Sequence, residues 1–201
     1  ITHVIHLAPL GLLPPLLVAS ERSLRVIAIS TCSVLHKAES ASAVERALAA
    51  GFKRAEEQVQ AICVEKGHQL TILRPTMLYG LGRDGTVGVL QRFAKRFGFL
   101  LVPGQAQGLR QPVHVADVAQ AIVQCLEHSQ TLGQTYELGG RSRLTLRQLG
   151  ERTLRDNCRR PRVFTLPLWP LALLVRLARL LRFRPDWDVG LLQRASQHQT
   201  V

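Results

Sequence analysis

The groups able to do chemistry in this 201-residue chain gather in three places. The first is "STCSVLHKAES", where Ser30, Thr31, Cys32 and Ser33 follow an apolar run and precede His36, Lys37 and Glu39. A thiol there becomes a nucleophile if a base takes its proton. No His or Asp stands at a recognisable spacing from Cys32, however, and a buried thiol is the commoner role. The second is Lys53 with Glu57 four residues on. That spacing puts both on one helix face, which suits a surface ion pair. The third is "TILRPTMLYGLGRDG" (71–85), with Arg74, Pro75, Thr76 and Arg83, followed by "GLRQPVHVADVA" with Arg110 and His114. Forked arginine donors match phosphate oxygens, although Arg110 serves equally well to tie its own loop down. Gly80, Gly82 and Gly85 lack the GxGxxG spacing of a phosphate loop and suit chain turning instead.

Positioning these residues falls to an alternation of strands and helices. "HVIHLA" (3–8), "LRVIAIS" (24–30) and "HQLTILRP" (68–75) are short apolar runs of the kind found in strands covered on both faces. Between the last two, Val44, Leu48, Phe52, Ala55, Val59 and Cys63 recur at helical steps across residues 43–66, and Gly67 ends the pattern. Further helices are expected over 86–99, within 113–129 with Asp117 as the candidate cap, and after Thr145; strands are expected at 135–140 and 161–167. Strand, helix, strand in succession calls for a parallel sheet with right-handed crossovers, an α/β fold. Ligands of such sheets lie at the carboxyl ends of the strands, which groups His6, Leu7, Ala8, Ser30, Thr31, Arg74, Pro75 and Thr76 on one rim.

The composition narrows the classes further. Hydrophobic content of 46% and a mean hydropathy of +0.08 describe a packed globular chain, and the formal charge of +12, mostly arginine, favours anionic partners. Sparse aromatics and the lack of a recognised module argue against nucleic acid. The four cysteines show neither a CxxC pair nor metal-ligand spacing with histidine; a reducing cytoplasm follows as the expected setting, and no metal is expected. Residues 168–183 alternate Leu with Arg176, Arg179 and Arg182, which suits a packed helix or an interfacial one rather than a membrane span.

Five stretches in order, "VIHLA", "RVIAISTCSV", "TILRPTMLYGLGRDG", "GLRQPVHVADVAQAI" and "GQTYELGG", resemble the NAD-dependent epimerase/dehydratase family, the extended and atypical short-chain dehydrogenases. The resemblance covers most of residues 3–150. It implies a partial Rossmann-like parallel sheet whose N-terminal strands and glycine-rich turn lie upstream of Ile1, with a small C-terminal substrate lobe. Residues 1–80 would be the later part of the NAD(P)-binding domain, and 81–201 a mixed lobe region from which 110–130 return to the core. The cofactor would be NAD or NADP, with His6, Leu7 and Ala8 bordering its adenosine and ribose, Ser30 and Thr31 on the same rim, and Arg74, Pro75 and Thr76 lining the nicotinamide. Arg83, Arg110 and His114 would face the diphosphate of a nucleotide-sugar substrate.

The same resemblance exposes a departure. Family enzymes place a Tyr four residues before a Lys on one helix face, with a Ser or Thr after the preceding strand, and the Lys lowers the tyrosine's pKa. Lys53 matches that Lys, which would touch both cofactor and catalysis, while Cys32 with Ser33 takes the Ser/Thr place; the Tyr position is Ala49. Three readings stay open: redox chemistry on a nucleotide sugar by another acid or base, a non-catalytic nucleotide-sensing or assembly subunit, and a membrane-surface protein using the basic 168–183 segment.

Overall fold

The computed structural model describes residues 2–80, 87–103, 107–155, 162–166 and 200–201. Along the chain come β1 (His3–His6), α1 (Pro14–Ala19), β2 (Arg25–Ile29), the short α2 (Ser33–His36), the long α3 (Ala43–Lys66), β3 (Gln69–Pro75) and β4 (Met77–Tyr79). They are followed by α4 (Val87–Phe97), β5 (Leu100–Pro103), β6 (Leu109–Arg110), β7 (Pro112–His114), α5 (Val115–Glu127), β8 (Thr135–Leu138), β9 (Leu144–Thr145), α6 (Leu146–Arg155) and β10 (Val163–Leu166). Arg83, Gly82, Gly85, Cys158 and the 168–183 segment lie outside the described residues.

Two compact units emerge. The first comprises residues 1–76 and 113–139 and is an α/β sandwich around a parallel sheet in the order β1-β2-β3-β8. Its register is continuous: Ile5 faces Ile27, Ala28 faces Ile72, and Leu73 faces Tyr136. The residues Val26, Ala28 and Ile72 join Leu13, Leu17, Val59 and Cys63 in one core beneath α1 and α3. On the opposite side Ile27 and Leu73 pack with Val118, Ile122 and Cys125 of α5. Burial on both faces explains why these strands read as unbroken apolar runs.

Polar pins hold the layers. His68 is buried, and its Nδ1 accepts from the Leu24 N–H at 3.2 Å, which leaves the ring proton on Nε2 for the Leu17 carbonyl at 3.0 Å. One imidazole thus joins the end of α1, the start of β2 and the start of β3. Arg25 does the same on the other face, donating to the Cys125 carbonyl (2.7 Å) and to Thr131 Oγ1 (2.8 Å). Gly67 closes α3 with φ of 69°, the left-handed turn anticipated from its place in the sequence.

The second unit comprises 77–112 and 140–200. Here α4 and α6 cover one face of the parallel pair β5–β10, burying Ala94, Leu100 and Leu154. A capping box starts α6: Gln148 N–H donates to Thr145 Oγ1 and Thr145 N–H to Gln148 Oε1. Gly150 lets that helix lie close on β5, because a Cβ there would stand 3.3 Å from Leu100 Cδ1.

Two sequence expectations need correction. Asp117 lies in the first turn of α5 but does not cap it; the cap is His114, whose Nδ1 accepts from the Ala116 N–H at 3.2 Å. The buried stripe of α3 also runs one residue further on than the apolar pattern implies. Val44, Leu48 and Phe52 are 68%, 48% and 38% exposed, while Glu45, Ala49 and Glu56 are buried ahead of Val59 and Cys63. Hydrophobic periodicity misses this because carboxylates can be buried when partners neutralise them.

His68→Leu leaves the Leu24 N–H and the Leu17 carbonyl buried without partners. A loss of about 1–3 kcal/mol is expected in urea unfolding, with the slope of the transition unchanged.

Candidate functional site

The carboxyl ends of β2 and β3 meet the middle of α3 at an ionic cluster. Glu56, 2% exposed, receives two parallel hydrogen bonds from the Arg74 guanidinium, Nε to Oε1 at 3.0 Å and Nη2 to Oε2 at 2.5 Å. The Ser30 hydroxyl donates to the same carboxylate. Bidentate geometry plus a third donor is what a desolvated carboxylate requires. The bond to Glu56 pushes the arginine's pKa further up, so the guanidinium stays charged.

Cys32 lies directly behind this pair. Its thiol is 1% exposed and donates to the Arg74 carbonyl at 2.9 Å, while its N–H donates to the Pro75 carbonyl at 3.1 Å. Burial first, then the charge of Glu137, pushes its pKa from 9.0 up to about 11. A thiol held protonated at neutral pH is a packing group and not an attacking one. Ser33 starts α2, its N–H donating to Thr31 Oγ1 at 3.1 Å. Thr76 closes the rim, with its N–H at 2.9 Å and its hydroxyl at 3.3 Å from the Leu138 carbonyl.

At the tip of β1, His6 Nε2 sits 3.1 Å from the Pro9 carbonyl. Beyond it Leu7, 69% exposed, and Ala8 are open. The structure therefore groups Ser30, Thr31, Cys32, Ser33, Arg74, Pro75 and Thr76 at the ends of β2 and β3, with His6, Leu7 and Ala8 at the neighbouring strand end. This tip set fits a dinucleotide's flat apolar faces and hydroxyls: Leu7 and Ala8 present uncovered apolar surface, and the threonines present hydroxyls.

Lys53 stands apart from that group. Its side chain is 68% exposed and its Nζ lies 3.9 Å from Glu57, itself 59% exposed, a surface ion pair of the i,i+4 kind. The inward carboxylate is Glu56. A lysine four residues before it would fall at Phe52 and a tyrosine four before that at Leu48; counted instead from Lys53, the tyrosine place is Ala49. In neither register does α3 offer a proton to a ligand at the strand tips. Glu56 was not singled out from the sequence, and its one signal was an acid three residues after Lys53 on a helix bound for the sheet.

The residues expected on the substrate side are placed locally. Arg110, 4% exposed, donates from Nη1 to the Leu109 carbonyl at 3.1 Å, and His114 serves as the α5 cap. A second acidic knot occupies the start of α3, where Glu45 accepts from the Ser40 hydroxyl at 2.6 Å and lies 3.9 Å from Lys37 Nζ.

Arg74→Met strands Glu56 and is expected to cost about 3–5 kcal/mol in chemical unfolding, with part of the loss recovered in the Arg74→Met/Glu56→Gln double variant. The thiols give a pH signature. Folded values above the unfolded one mean that stability is present below pH 9.0 and lost as pH rises toward about 11 for both Cys32 and Cys63. Unfolding midpoints measured across that window should fall less steeply in Cys32→Ala/Cys63→Ala than in the parent chain.

The model of the NAD dependent epimerase/dehydratase family matches residues 16–139. A mitochondrial protein of Arabidopsis thaliana, NADH dehydrogenase [ubiquinone] 1 alpha subcomplex subunit 9, is 39% identical over 106 residues, 52% of this chain and 26% of that protein. The chain thus spans about a quarter of that relative's length. Among solved structures, UDP-N-acetylglucosamine 4-epimerase from Bacillus cereus superposes with a TM-score of 0.63 at 15% identity, covering 98% of this chain and 76% of that one. The UDP-glucose 4-epimerase of Thermus thermophilus, in complex with NAD, gives 0.59 at 22% identity over 83% of this chain and 65% of that one. The family match over residues 16–139 and the parallel α/β sheet agree: the chain belongs to the NAD-dependent epimerase/dehydratase family.

Proposed function

We propose that this chain forms part of a dinucleotide site that holds NAD or NADP without running the family's tyrosine–lysine proton relay, in a nucleotide-sensing or assembly role. The observation that carries the reading is the Glu56–Arg74–Ser30 cluster. Where α3 crosses the strand tips it presents an ion-paired carboxylate whose task is structural, with Ala49 buried two turns earlier and Lys53 turned to solvent. Cys32, the candidate in the Ser/Thr place, is a protonated buried thiol whose hydrogen goes to the chain's own backbone.

In this reading Leu7 and Ala8 pack against the adenosine side, while Thr31 and Thr76 shape the rim near the ribose and nicotinamide. A bound nicotinamide supplies hydride chemistry, and this chain lacks the proton donor on α3 that the family couples to it. The Arabidopsis relative is named as a subunit of a larger assembly, which supports a binding or assembly role. The nucleotide-sugar epimerases among the structural neighbours support only the shape of the site.

The test is a fluorescence titration of the intact protein with NADH and with NADPH, alongside a turnover assay on UDP-glucose. Saturable binding without turnover is expected, and Leu7→Asp should weaken binding at least roughly tenfold by placing a charge against the ligand's apolar face. Turnover abolished by Lys53→Ala would overturn the non-catalytic reading. Absence of binding to either nucleotide would overturn the dinucleotide site itself.

A further inference from the structure

Charge is divided between the two units. Residues 77–112 and 140–200 carry 18 of the 26 Lys and Arg but only 5 of the 14 Asp and Glu, whereas the rest of the chain has 8 basic and 9 acidic residues. The whole excess of +12 therefore resides in the second unit. The structure places apolar surface beside it. Among the described residues, α4 and α6 cover one face of the β5–β10 pair; on the other, Leu101 and Phe164 stand opposite one another in register and are 40% and 49% exposed. Phe97, at the end of α4, is 55% exposed.

These side chains form a continuous aromatic knot. Phe93 and Phe97 have centroids 4.5 Å apart, Phe93 and Phe99 5.7 Å, and Phe99 and Phe164 5.8 Å. Arginines line a groove along its edge, with a volume of about 570 Å³: Arg147 and Arg155 from α6 and Arg162 just before β10, next to Val163 and Phe164. Arg147 is paired with Glu151 at 3.0 Å, but Arg155 and Arg162 have no acidic partner among the described residues. Exposed Arg92, Lys95 and Arg96 flank Phe93 and Phe97 on α4.

We infer that this face docks on an anionic phospholipid surface, with the exposed phenyl and leucyl groups entering the interface and Arg155 and Arg162 taking lipid phosphates. Phenylalanine beside arginine and lysine supplies the two signals that stable peripheral binding needs, apolar insertion and attraction to headgroups. Ring geometry favours lipid over nucleic acid. The phenyls meet at interplanar angles of 43°, 87° and 76°, so they pack into one another and do not form a flat platform for bases. No helix among the described residues is long and apolar enough to cross a membrane, so the contact is with the surface.

The experiment is flotation of the intact protein with phosphatidylcholine vesicles, with and without phosphatidylglycerol. Binding is expected only to the anionic vesicles, weakening as salt rises. Arg155→Gln/Arg162→Gln should lower vesicle affinity roughly thirty-fold, about fivefold for each charge. Phe97→Ser/Phe164→Ser should lower it even at low salt, while the charge-matched control Arg54→Gln/Lys66→Gln on the first unit leaves it unchanged. Circular dichroism melts of each variant separate lost binding from lost folding. Equal binding to neutral vesicles, an equal loss in the control, tighter binding of the same face to poly(U) RNA, or a self-association that Phe164→Ser abolishes in lipid-free solution would each overturn the inference.

Discussion

A carboxylate buried at a sheet's edge is tolerable only with its charge answered, and the first unit is arranged around that demand. Glu56 comes from a helix, Arg74 from one strand and Ser30 from its neighbour, so satisfying one group fixes three elements at the point where ligands of parallel sheets bind. The bidentate pair sets the rotation of α3 about its axis. With Glu56 facing the strand ends, the residues two and three turns earlier that look inward are Ala49 and Glu45, while the Lys53 and Glu57 side chains are 68% and 59% exposed.

The remaining tip groups are held by bonds to the chain's own backbone: Cys32 to Arg74, Thr31 to Ser33, Thr76 to Leu138, His6 to Pro9. Such a rim is rigid before any ligand arrives, and its open surface is apolar. Recognition there depends on shape and on a few hydroxyls, and little on formal charge. The charge of the molecule is concentrated instead in the second unit.

Much of this architecture was legible in the chain. The strands appear as β-branched apolar runs because both faces of the sheet are covered, and Gly67 and Thr145 mark helix ends through local geometry that needs no tertiary partner. What stayed hidden depended on distant partners. Nothing local distinguishes Glu56 from Glu57; only Arg74, 18 residues on, decides which is buried. The cap of α5 passed from Asp117 to His114 because the helix begins three residues earlier than a cap at the acid implies. The pair β5–β10 joins residues far apart, so β5 carried no hairpin or spacing signal of its own.

The path of the chain through the first unit has a cost during synthesis. Strand β8 joins β3 only after residues 77–112, which belong to the other unit, have been made, and α5 comes from the same late stretch. Until residue 127 leaves the ribosome, Ile27 and Leu73 lack the helix that covers them, and until residue 138 does so one edge of β3 is unpaired. A nascent chain of this design carries a bare oily surface through roughly 60 further residues of translation, a span of seconds at ordinary elongation rates, and its yield in the cell rests on what shields that surface meanwhile.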